Sequence, residues 1–439
     1  MKFYLLIFTT FILINLKCEG AKFLFTFFHD NGSHFGSMLP LMEMLVDKGH
    51  SVTFLNTIPI DGVSPKLKSI RFPLPRRTDE EWKNKLAYVL WHSRLTSSSL
   101  GLYYTVMDNL LGIMLQNGTD KIVEIINEDW DFIVIDDLFW SFGFALTTLK
   151  HKLWELNGKQ FNQPHIIVYA TAATSLISAE SVRSVGRNWV SRVPMCPPVP
   201  TDESDVYSPN KFSNRILAFY ENIIEVIHIN YLVPHLMPNM KVLGLTDFSW
   251  SDFYSRTSLQ FADSMDRIGW PMAVGKEMIN IGAHCKKVKI LPKKFAEFVE
   301  APESKGTIYA AFGTNVDWSR APKYVYEALL NAFNRFKDYR VIFVYNGPEL
   351  PQLGKHVLLT KWAPQLEILA HKKTKVFISH GGNKSLREAL CSGIPLIVMP
   401  VYAEQAHSAH VLLAMGHAPV INKFNINEEN VFQTINEVI

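Results

Sequence analysis

Polar side chains that suit a phosphate ligand follow a short apolar run late in the chain. The run at 376–378 leads into His380, Gly381 and Gly382, and helical spacing begins directly afterwards. A second apolar run starts at Ile394, so the pattern predicts a strand, a glycine turn, a helix and another strand. Unpaired N–H groups and the helix dipole at such a helix start favour an anion, most often a phosphate.

Glycines also occur at strand-to-helix turns where only the backbone conformation requires them, so this triplet alone does not establish a phosphate site. The residues that follow favour a ligand. Ser385 supplies a hydroxyl in the first helical turn, and Glu388 supplies a carboxylate that suits a ribose diol. Upstream, Trp362 offers an aromatic face for a base and Gln365 an amide to read its edge, although most tryptophans belong to the core.

The order of these residues resembles the signature of the UDP-glycosyltransferases, the family that includes glucuronosyl- and glucosyltransferases. The family pattern runs W-x-P-Q, then H-G-G-x-x-S-x-x-E, G-x-P and a D/E-Q pair. The matching positions are Trp362, Pro364, Gln365, His380, Gly381, Gly382, Ser385, Glu388, Gly393, Pro395, Glu404 and Gln405. The resemblance extends over nearly the whole chain.

The resemblance implies a role for each group in holding a UDP-sugar. Trp362 would stack on uracil, Gln365 would contact the nucleoside, and Glu388 would hold the ribose hydroxyls. Glu404 and Gln405 would hold the donor sugar. The diphosphate would lie at the glycine turn and helix start, formed by His380, Gly381, Gly382, Lys384 and Ser385.

Further positions bear on the same donor site. The tetrapeptide that ends in Gly313 and Thr314 resembles the strand-end turn of the family, which places both residues beside a phosphate. Three positions depart from the family pattern. The family often has Asn where this chain has Lys384, more commonly has Asp where it has Glu404, and commonly has Asn where it has Ser408. The charge of Lys384 could still favour a diphosphate, so the departures leave the choice of sugar open.

His34 is the candidate catalytic base. It follows the apolar run 22–28 and begins a helical pattern, which is where ligands bind in open α/β sheets. On the local sequence alone, a capping or solvated histidine is the simpler interpretation. The resemblance favours catalysis, because Gly32-Ser33-His34 and the later G-H-x-V-T at 49–53 resemble the base segment of the family. His29 lies on the strand before the turn and is not expected to be the base.

The segment 130–137 is an apolar strand that ends in two carboxylates, Asp136 and Asp137. Asp131 and Asp136 match a D-x-x-x-x-D pattern of the family. By that resemblance Asp136 would hold the second nitrogen of His34 and stabilise the imidazolium. Asp137 could instead cap the next helix.

Strand and helix patterns alternate through both halves of the chain, which predicts an α/β protein with parallel sheets. The 439 residues are enough for two domains. The resemblance implies the GT-B architecture, two Rossmann-like domains facing across a cleft. We expect an N-terminal acceptor-binding domain at 21–267, a linker at 268–291 and a C-terminal UDP-sugar-binding domain at 292–439.

Composition limits the partners. A net charge of +3 with 19% charged residues argues against a nucleic-acid partner. No clustered ligand set of the zinc type is present, so we expect neither metal nor cofactor, the UDP-sugar being a co-substrate. Cys196, Cys285 and Cys391 remain after the leader, and this odd number indicates no disulfide framework.

Residues 1–20 resemble a secretory signal, with cleavage expected after Gly20. No later segment has the roughly 18 apolar residues that span a bilayer. Animal members of the family usually continue with helices, a membrane anchor and a basic tail, so the resemblance implies that the C-terminal domain is incomplete here. We expect a protein of the endoplasmic reticulum lumen, associated with the membrane only through an uncleaved signal or a partner. Among the sequons, Asn117 is expected to be glycosylated, and Asn31 and Asn383 are not.

The reaction expected is an inverting sugar transfer, in which His34 takes a proton from an acceptor hydroxyl that attacks the anomeric carbon of a UDP-sugar. Charge on the leaving UDP would develop near His380. The acceptor implied is a small lipophilic alcohol, phenol or acid, with UDP-glucose as the first choice of donor and UDP-glucuronate the second. The sequence leaves two other functions open: a non-catalytic lumenal protein that binds UDP-sugar or lipophiles or regulates a full-length partner, and a UDP-sugar epimerase. It does not indicate the oligomeric state.

Overall fold

The structure is a computed structural model. It describes residues 20–27, 32–60, 63–74, 80–138, 140–158, 162–171, 193–232, 235, 237–265, 268–269, 275–348 and 353–439. His29, Asn31 and the expected signal before Gly20 lie outside these ranges.

The strands form two sheets in which all neighbours are parallel, which confirms the expected α/β class. The first sheet has seven strands in the order β3-β2-β1-β4-β5-β6-β7. Its members are β1 (Lys22–Thr26), β2 (Ser51–Asn56), β3 (Lys68–Arg71), β4 (Phe132–Asp136), β5 (His165–Ala170), β6 (Leu259–Ala262) and β7 (Met278–Asn280). Strands such as β4 are apolar without alternation because helices cover both faces.

The second sheet has five strands in the order β10-β9-β8-β11-β12. Its members are β8 (Thr307–Ala311), β9 (Arg340–Val344), β10 (Val357–Thr360), β11 (Thr374–Ser379) and β12 (Leu396–Val398). In both sheets the strand order reverses beside the first strand of the unit, which is the arrangement that opens a ligand crevice at the carboxyl ends of the strands.

The helices are interspersed with these strands along the chain, and the last two helices follow β12. In the first half they are α1 (Gly32–Asp47), α2 (Glu80–His92), α3 (Ser97–Asn127), α4 (Ser141–Leu156), α5 (Phe212–Val226), α6 (Pro238–Val242) and α7 (Trp250–Ser255). In the second half they are α8 (Lys293–Val299), α9 (Lys323–Arg335), α10 (Gln365–Leu369), α11 (Asn383–Ser392), α12 (Gln405–Ala414) and α13 (Glu428–Val438). No helix in the described ranges is long and apolar enough to cross a bilayer.

Helix α2 belongs to the first half of the chain but packs against the core of the second. The Trp91 and Trp318 rings lie 5.2 Å apart, and Trp91 Nε1 donates to the carbonyl of Asp317 at 3.3 Å. The ammonium of Lys423, in the second half, donates to the carbonyl of Leu90. The two halves are therefore joined by contacts of α2 with the core of the second half.

One strand between the halves was not expected from the sequence. The strand β7 lies inside the expected linker 268–291 and pairs with β6, so this part of the segment extends the first sheet. Three residues are too few to produce a recognisable strand pattern, which is why the sequence did not indicate it. The boundaries themselves remain a prediction.

The expectation of no disulfide framework is wrong, because Cys285 and Cys391 form a disulfide with Cα atoms 5.6 Å apart. Cys196 is the free cysteine of the described ranges, and it is buried. An odd count shows only that one thiol is left over. It does not show which cysteines the fold brings together across 106 residues.

Candidate active site

Strand β11 leads into the glycine turn at the centre of the expected donor site. Gly381 has a φ of +89°, and a Cβ there would lie 2.9 Å from Val398 Cγ1. Gly382 is the N-cap of α11, and no side chain caps this helix start. The N–H groups of its first turn are thus left without a capping side chain, as an anion site requires.

The His380 ring fills space that only glycine leaves open. Cβ atoms on Gly313 and Gly382 would lie 2.9 and 2.6 Å from His380 Nε2. Burial lowers the pKa of the His380 imidazole to about 4, so the ring is neutral at pH 7 and acts through hydrogen bonding rather than charge. The structure therefore brings the turn at Gly313 and Thr314 beside the turn at 380–382, with Thr314 exposed.

The expected nucleoside residues form one hydrogen-bonded network. Gln365 Nε2 donates to Glu388 Oε2 at 2.7 Å and to Ser385 Oγ at 3.2 Å. Tyr309 completes the network by donating its hydroxyl to Gln365 Oε1 at 3.3 Å, and burial raises the pKa of this phenol. Tyr309 lies on β8 within an apolar run, and the sequence offered no signal that would separate it from a core residue.

Trp362 lies just before this network, and 69% of it is exposed. A tryptophan with this exposure does not belong to the core, so its ring is free of the packing role that most tryptophans have. Its carbonyl accepts a 2.8 Å hydrogen bond from Thr360 Oγ1, which fixes the backbone while leaving the ring at the surface.

Glu404 and Gln405 stand at the start of α12. Gln405 Oε1 accepts from the N–H groups of Val401 and Tyr402 at 2.9 and 3.0 Å, so its carbonyl oxygen holds the preceding turn. Any contact of this side chain with a sugar therefore falls to its amide nitrogen. Burial raises the pKa of the Glu404 carboxyl, and His34 is close enough to oppose this shift in part.

The candidate base is held by two polar groups of the first sheet. His34 lies in the first turn of α1, and its Nδ1 lies 2.5 Å from Asp136 Oδ2. Thr171 Oγ1 lies 2.8 Å from the same nitrogen and donates to Asp136 Oδ1 at 3.2 Å. Because these contacts engage Nδ1, Nε2 is the nitrogen that can take a proton from an acceptor.

Thr171 was not expected from the sequence. Its signal was its place directly after an apolar strand, β5, which is the neighbour of β4. The two other carboxylates of the motif have structural positions. Asp131 Oδ2 accepts from the N–H of Lys22 at 2.7 Å, at the opposite end of β4. Asp137 does not cap α4, whose N-cap is Trp140.

Lys384 reaches from α11 toward α1 of the first sheet. A Cβ on Gly36 would lie 2.5 Å from Lys384 Nζ, which places the ammonium two residues from His34 along that helix. Burial lowers the pKa of Lys384 to about 8, with Lys286 adding to the effect and Glu388 opposing it. Within the described ranges, no group of three or more His, Cys, Asp or Glu side chains is placed to hold a metal.

Comparison with known sequences indicates the family. The family described as UDP-glucoronosyl and UDP-glucosyl transferase matches residues 168–439. A UDP-glucuronosyltransferase of Pleuronectes platessa is 27% identical over 256 residues, which are 56% of this chain and 54% of that protein. UDP-glucuronosyltransferase 1A9 of Mus musculus is 24% identical over 437 residues, covering 93% of this chain and 75% of that protein.

Solved structures show the same fold. The glycotransferase of kitacinnamycin has a TM-score of 0.57 at 15% identity, covering 96% of this chain and 90% of that chain. Phytolacca americana UGT2, solved with UDP-2fluoro-glucose and pterostilbene, has a TM-score of 0.55 at 14% identity, covering 95% and 90%. The chain therefore belongs to the UDP-glucuronosyl and UDP-glucosyl transferase family and is a UDP-glycosyltransferase with the GT-B fold.

Proposed function

We propose that this chain performs an inverting transfer of a hexosyl group from a UDP-sugar to a hydroxyl of a small lipophilic acceptor, with His34 as the base. The observation that supports it most is the hydrogen-bonded pair of His34 and Asp136. Both residues are buried: His34 is 7% exposed and Asp136 is 0% exposed. A histidine oriented by a buried carboxylate is the arrangement that activates hydroxyl groups in other enzymes.

In this proposal, the acceptor hydroxyl gives its proton to His34 Nε2 while its oxygen bonds to the anomeric carbon. The bond from that carbon to the β-phosphate oxygen of UDP breaks, and its electron pair leaves with UDP. Asp136 stabilises the imidazolium through Nδ1. Base catalysis of this kind contributes about 10²–10⁴-fold.

The leaving UDP would be held at the glycine turn. The first-turn N–H groups of α11, the neutral His380 ring and the Ser385 hydroxyl supply hydrogen bonds, and the Lys384 ammonium supplies positive charge. Donors fixed before the reaction stabilise developing charge at no cost of reorganisation. Gly313 and Thr314 would face the same phosphates from the neighbouring strand end, and no residue in this arrangement requires a metal.

The nucleoside would lie between Trp362 and the network of Gln365 and Glu388, with uracil on the exposed ring and the ribose hydroxyls on the carboxylate. The donor sugar would lie near Glu404 and the amide of Gln405. We propose UDP-glucose as the first donor, because the Glu404 carboxyl and the Gln405 amide can hydrogen-bond the neutral hydroxyls of a hexose. UDP-glucuronate is the second donor.

We also propose the endoplasmic reticulum lumen as the site of action, with Asn117 glycosylated. Asn117 is exposed on α3, and Gly118 interrupts the helix there with φ −152° and ψ 25°. Asn383 is a poor acceptor, because its Nδ2 already donates to the Asp263 carbonyl at 3.0 Å. Digestion with an N-glycosidase followed by mass spectrometry of the peptide around Asn117 tests this assignment.

The test of the reaction is direct. The purified protein is incubated with UDP-glucose or UDP-glucuronate and a panel of phenols and alcohols, and glycosides are detected by mass spectrometry. A β-linked product from the α-linked donor, identified by proton NMR, supports inversion. Binding of UDP without any glycoside from either donor would contradict the proposal and favour a binding protein.

A further inference from the structure

Three neighbouring strands of the first sheet end in polar side chains. Asp136 is the last residue of β4, Thr171 follows β5, and Asp263 follows β6. Because β4, β5 and β6 are parallel neighbours, their carboxyl ends form one row at the edge of the sheet. The first two residues hold His34. The third contacts the helix that carries the donor site.

That contact is a buried ion pair. Asp263 and Arg387 of α11 are 2% and 4% exposed, and Arg387 Nη1 donates to Asp263 Oδ1. The same nitrogen lies 3.4 Å from the carbonyl of Gly282, which runs so close to β6 that a Cβ would meet Ser264 O at 2.6 Å. Buried ion pairs contribute little net stability on average, and their best-attested use is to specify one arrangement of the elements they join.

Two further contacts lie on the same face of α11. Asn383 donates to the Asp263 carbonyl at 3.0 Å, and Cys391 forms the disulfide with Cys285. Asn383, Arg387 and Cys391 are spaced by four residues, so they share one side of the helix. We call Asn383, Arg387 and Cys391 the clamp face. The donor network of Ser385 and Glu388 occupies other positions of the same helix.

We propose that Asp263 and Arg387 are positioning residues, which set the separation between His34 and the donor held by α11, and that the Cys285–Cys391 disulfide reinforces this setting. The proposal rests on the proposed function. In-line transfer requires the base, the acceptor oxygen and the anomeric carbon in one geometry, and a displacement of about 1 Å can cost about 100-fold in rate. His34 and the donor lie on different sheets, so contacts between the sheets determine that geometry.

The variant that tests the pair is Asp263→Asn combined with Arg387→Met, which removes both charges at similar volume. Arg387→Ala alone would leave a buried carboxylate without its partner and is avoided. We expect kcat to fall about ten-fold to a hundred-fold, with UDP affinity by calorimetry changed less than two-fold. Arg387→Lys keeps the charge and should recover part of the lost kcat.

The matched control is Asp252→Asn combined with Arg256→Met, which removes a partly exposed 2.8 Å ion pair at the end of α7, in the first half of the chain. This variant should retain the kcat of the wild type. An equal loss of kcat in the control would overturn the assignment, as would unchanged kcat in the Asp263/Arg387 variant. A parallel fall of UDP affinity, kcat and Tm would show a structural role only.

The disulfide gives a second readout, because both cysteines are exposed to reductant and Cys196 is buried. Dithiothreitol should lower the kcat of the wild type to that of Cys285→Ser/Cys391→Ser, which should itself be insensitive. Hydrogen exchange of the α11 amides separates this inference from the reaction. Faster exchange in the Asp263/Arg387 variant supports the positioning of α11 by this pair even if the wild type makes no glycoside. Unchanged exchange overturns the inference.

Discussion

Lys384 Nζ lies against Gly36, at 2.5 Å from the position of a Cβ on that glycine. The contact joins the first turn of α11 to the first turns of α1, so the charge of the donor site reaches the helix of the candidate base. At the position of Lys384, the UDP-glycosyltransferases often have asparagine. A cation here adds an electrostatic contribution that asparagine does not supply.

The pH dependence of UDP affinity tests this charge. Burial lowers the pKa of Lys384 to about 8, so the ammonium is present at pH 7 and lost as pH rises through 8. UDP affinity should therefore weaken between pH 7 and 9. Calorimetry of Lys384→Met should show weaker binding at pH 7 and a flatter profile. A wild-type profile as flat as that of the variant would show that the ammonium does not contact the diphosphate.

His34→Ala should lower kcat by about 10²–10⁴-fold, because no base is left to take the proton of the acceptor hydroxyl. UDP affinity should stay within a few-fold, since the nucleotide residues lie on the other sheet. His417→Ala, at an exposed position, is the matched control. Equal kcat in the wild type and His34→Ala would remove the assignment of the base.

Thr171→Val removes a hydroxyl from Asp136 and His34 without a change of shape. A hydrogen bond to a charged group contributes about 1.5–3 kcal/mol, so kcat should fall about ten-fold or more with UDP affinity unchanged. Thr171→Ser keeps the hydroxyl and should restore most of the activity. If valine and serine give the same kcat, Thr171 does not position the base.

Trp362→Ala should weaken UDP binding by about 1–3 kcal/mol, the range measured for stacking of a base on an aromatic ring. Tyr324→Ala removes another exposed aromatic ring, on α9, and serves as the control. The measurement is calorimetric titration with UDP. Unchanged affinity for the Trp362 variant would place the uracil elsewhere.

His380, which is partly buried, should make stability depend on pH. Its pKa of about 4 lies below the usual 6.5, so the unfolded chain binds the proton more readily and stability falls as pH drops from 6.5 toward 4. The contribution between pH 7 and 5 is about 2 kcal/mol. Urea titrations of His380→Gln should show a smaller loss over this interval. His356 and His410, whose pKa values are also lowered by burial, affect both proteins alike.

The sequence indicates those parts of the candidate site that lie within one local motif. Ser385 and Glu388 follow one strand at fixed helical spacing, and His34 follows another, so their positions depend on short-range rules. Thr171 and Arg387 could not be predicted in the same way. Their partners depend on the order of strands in the sheet, which sets Asp136, Thr171 and Asp263 side by side, and a single sequence does not state that order.

The same limit explains why the sequence did not indicate the disulfide or the packing of α2 against the second half. Cys285 and Cys391 are separated by 106 residues along the chain, so only the tertiary fold brings the two thiols together. Trp91 reads as an ordinary apolar residue of an amphipathic helix. Nothing in its neighbourhood indicates that the surface it covers belongs to the other half of the chain.

The packing of α2 against the second half matters for engineered chimeras of this protein and its relatives. Exchange of the first half is the obvious way to change acceptor preference, and a junction at 268–291 would appear to separate two independent parts. Trp91 would then arrive from one parent and Trp318 from the other. We expect a chimera to fold better when α2 and the second half come from the same parent and the rest of the first half comes from the other parent. A chimera with a single junction should fold less well.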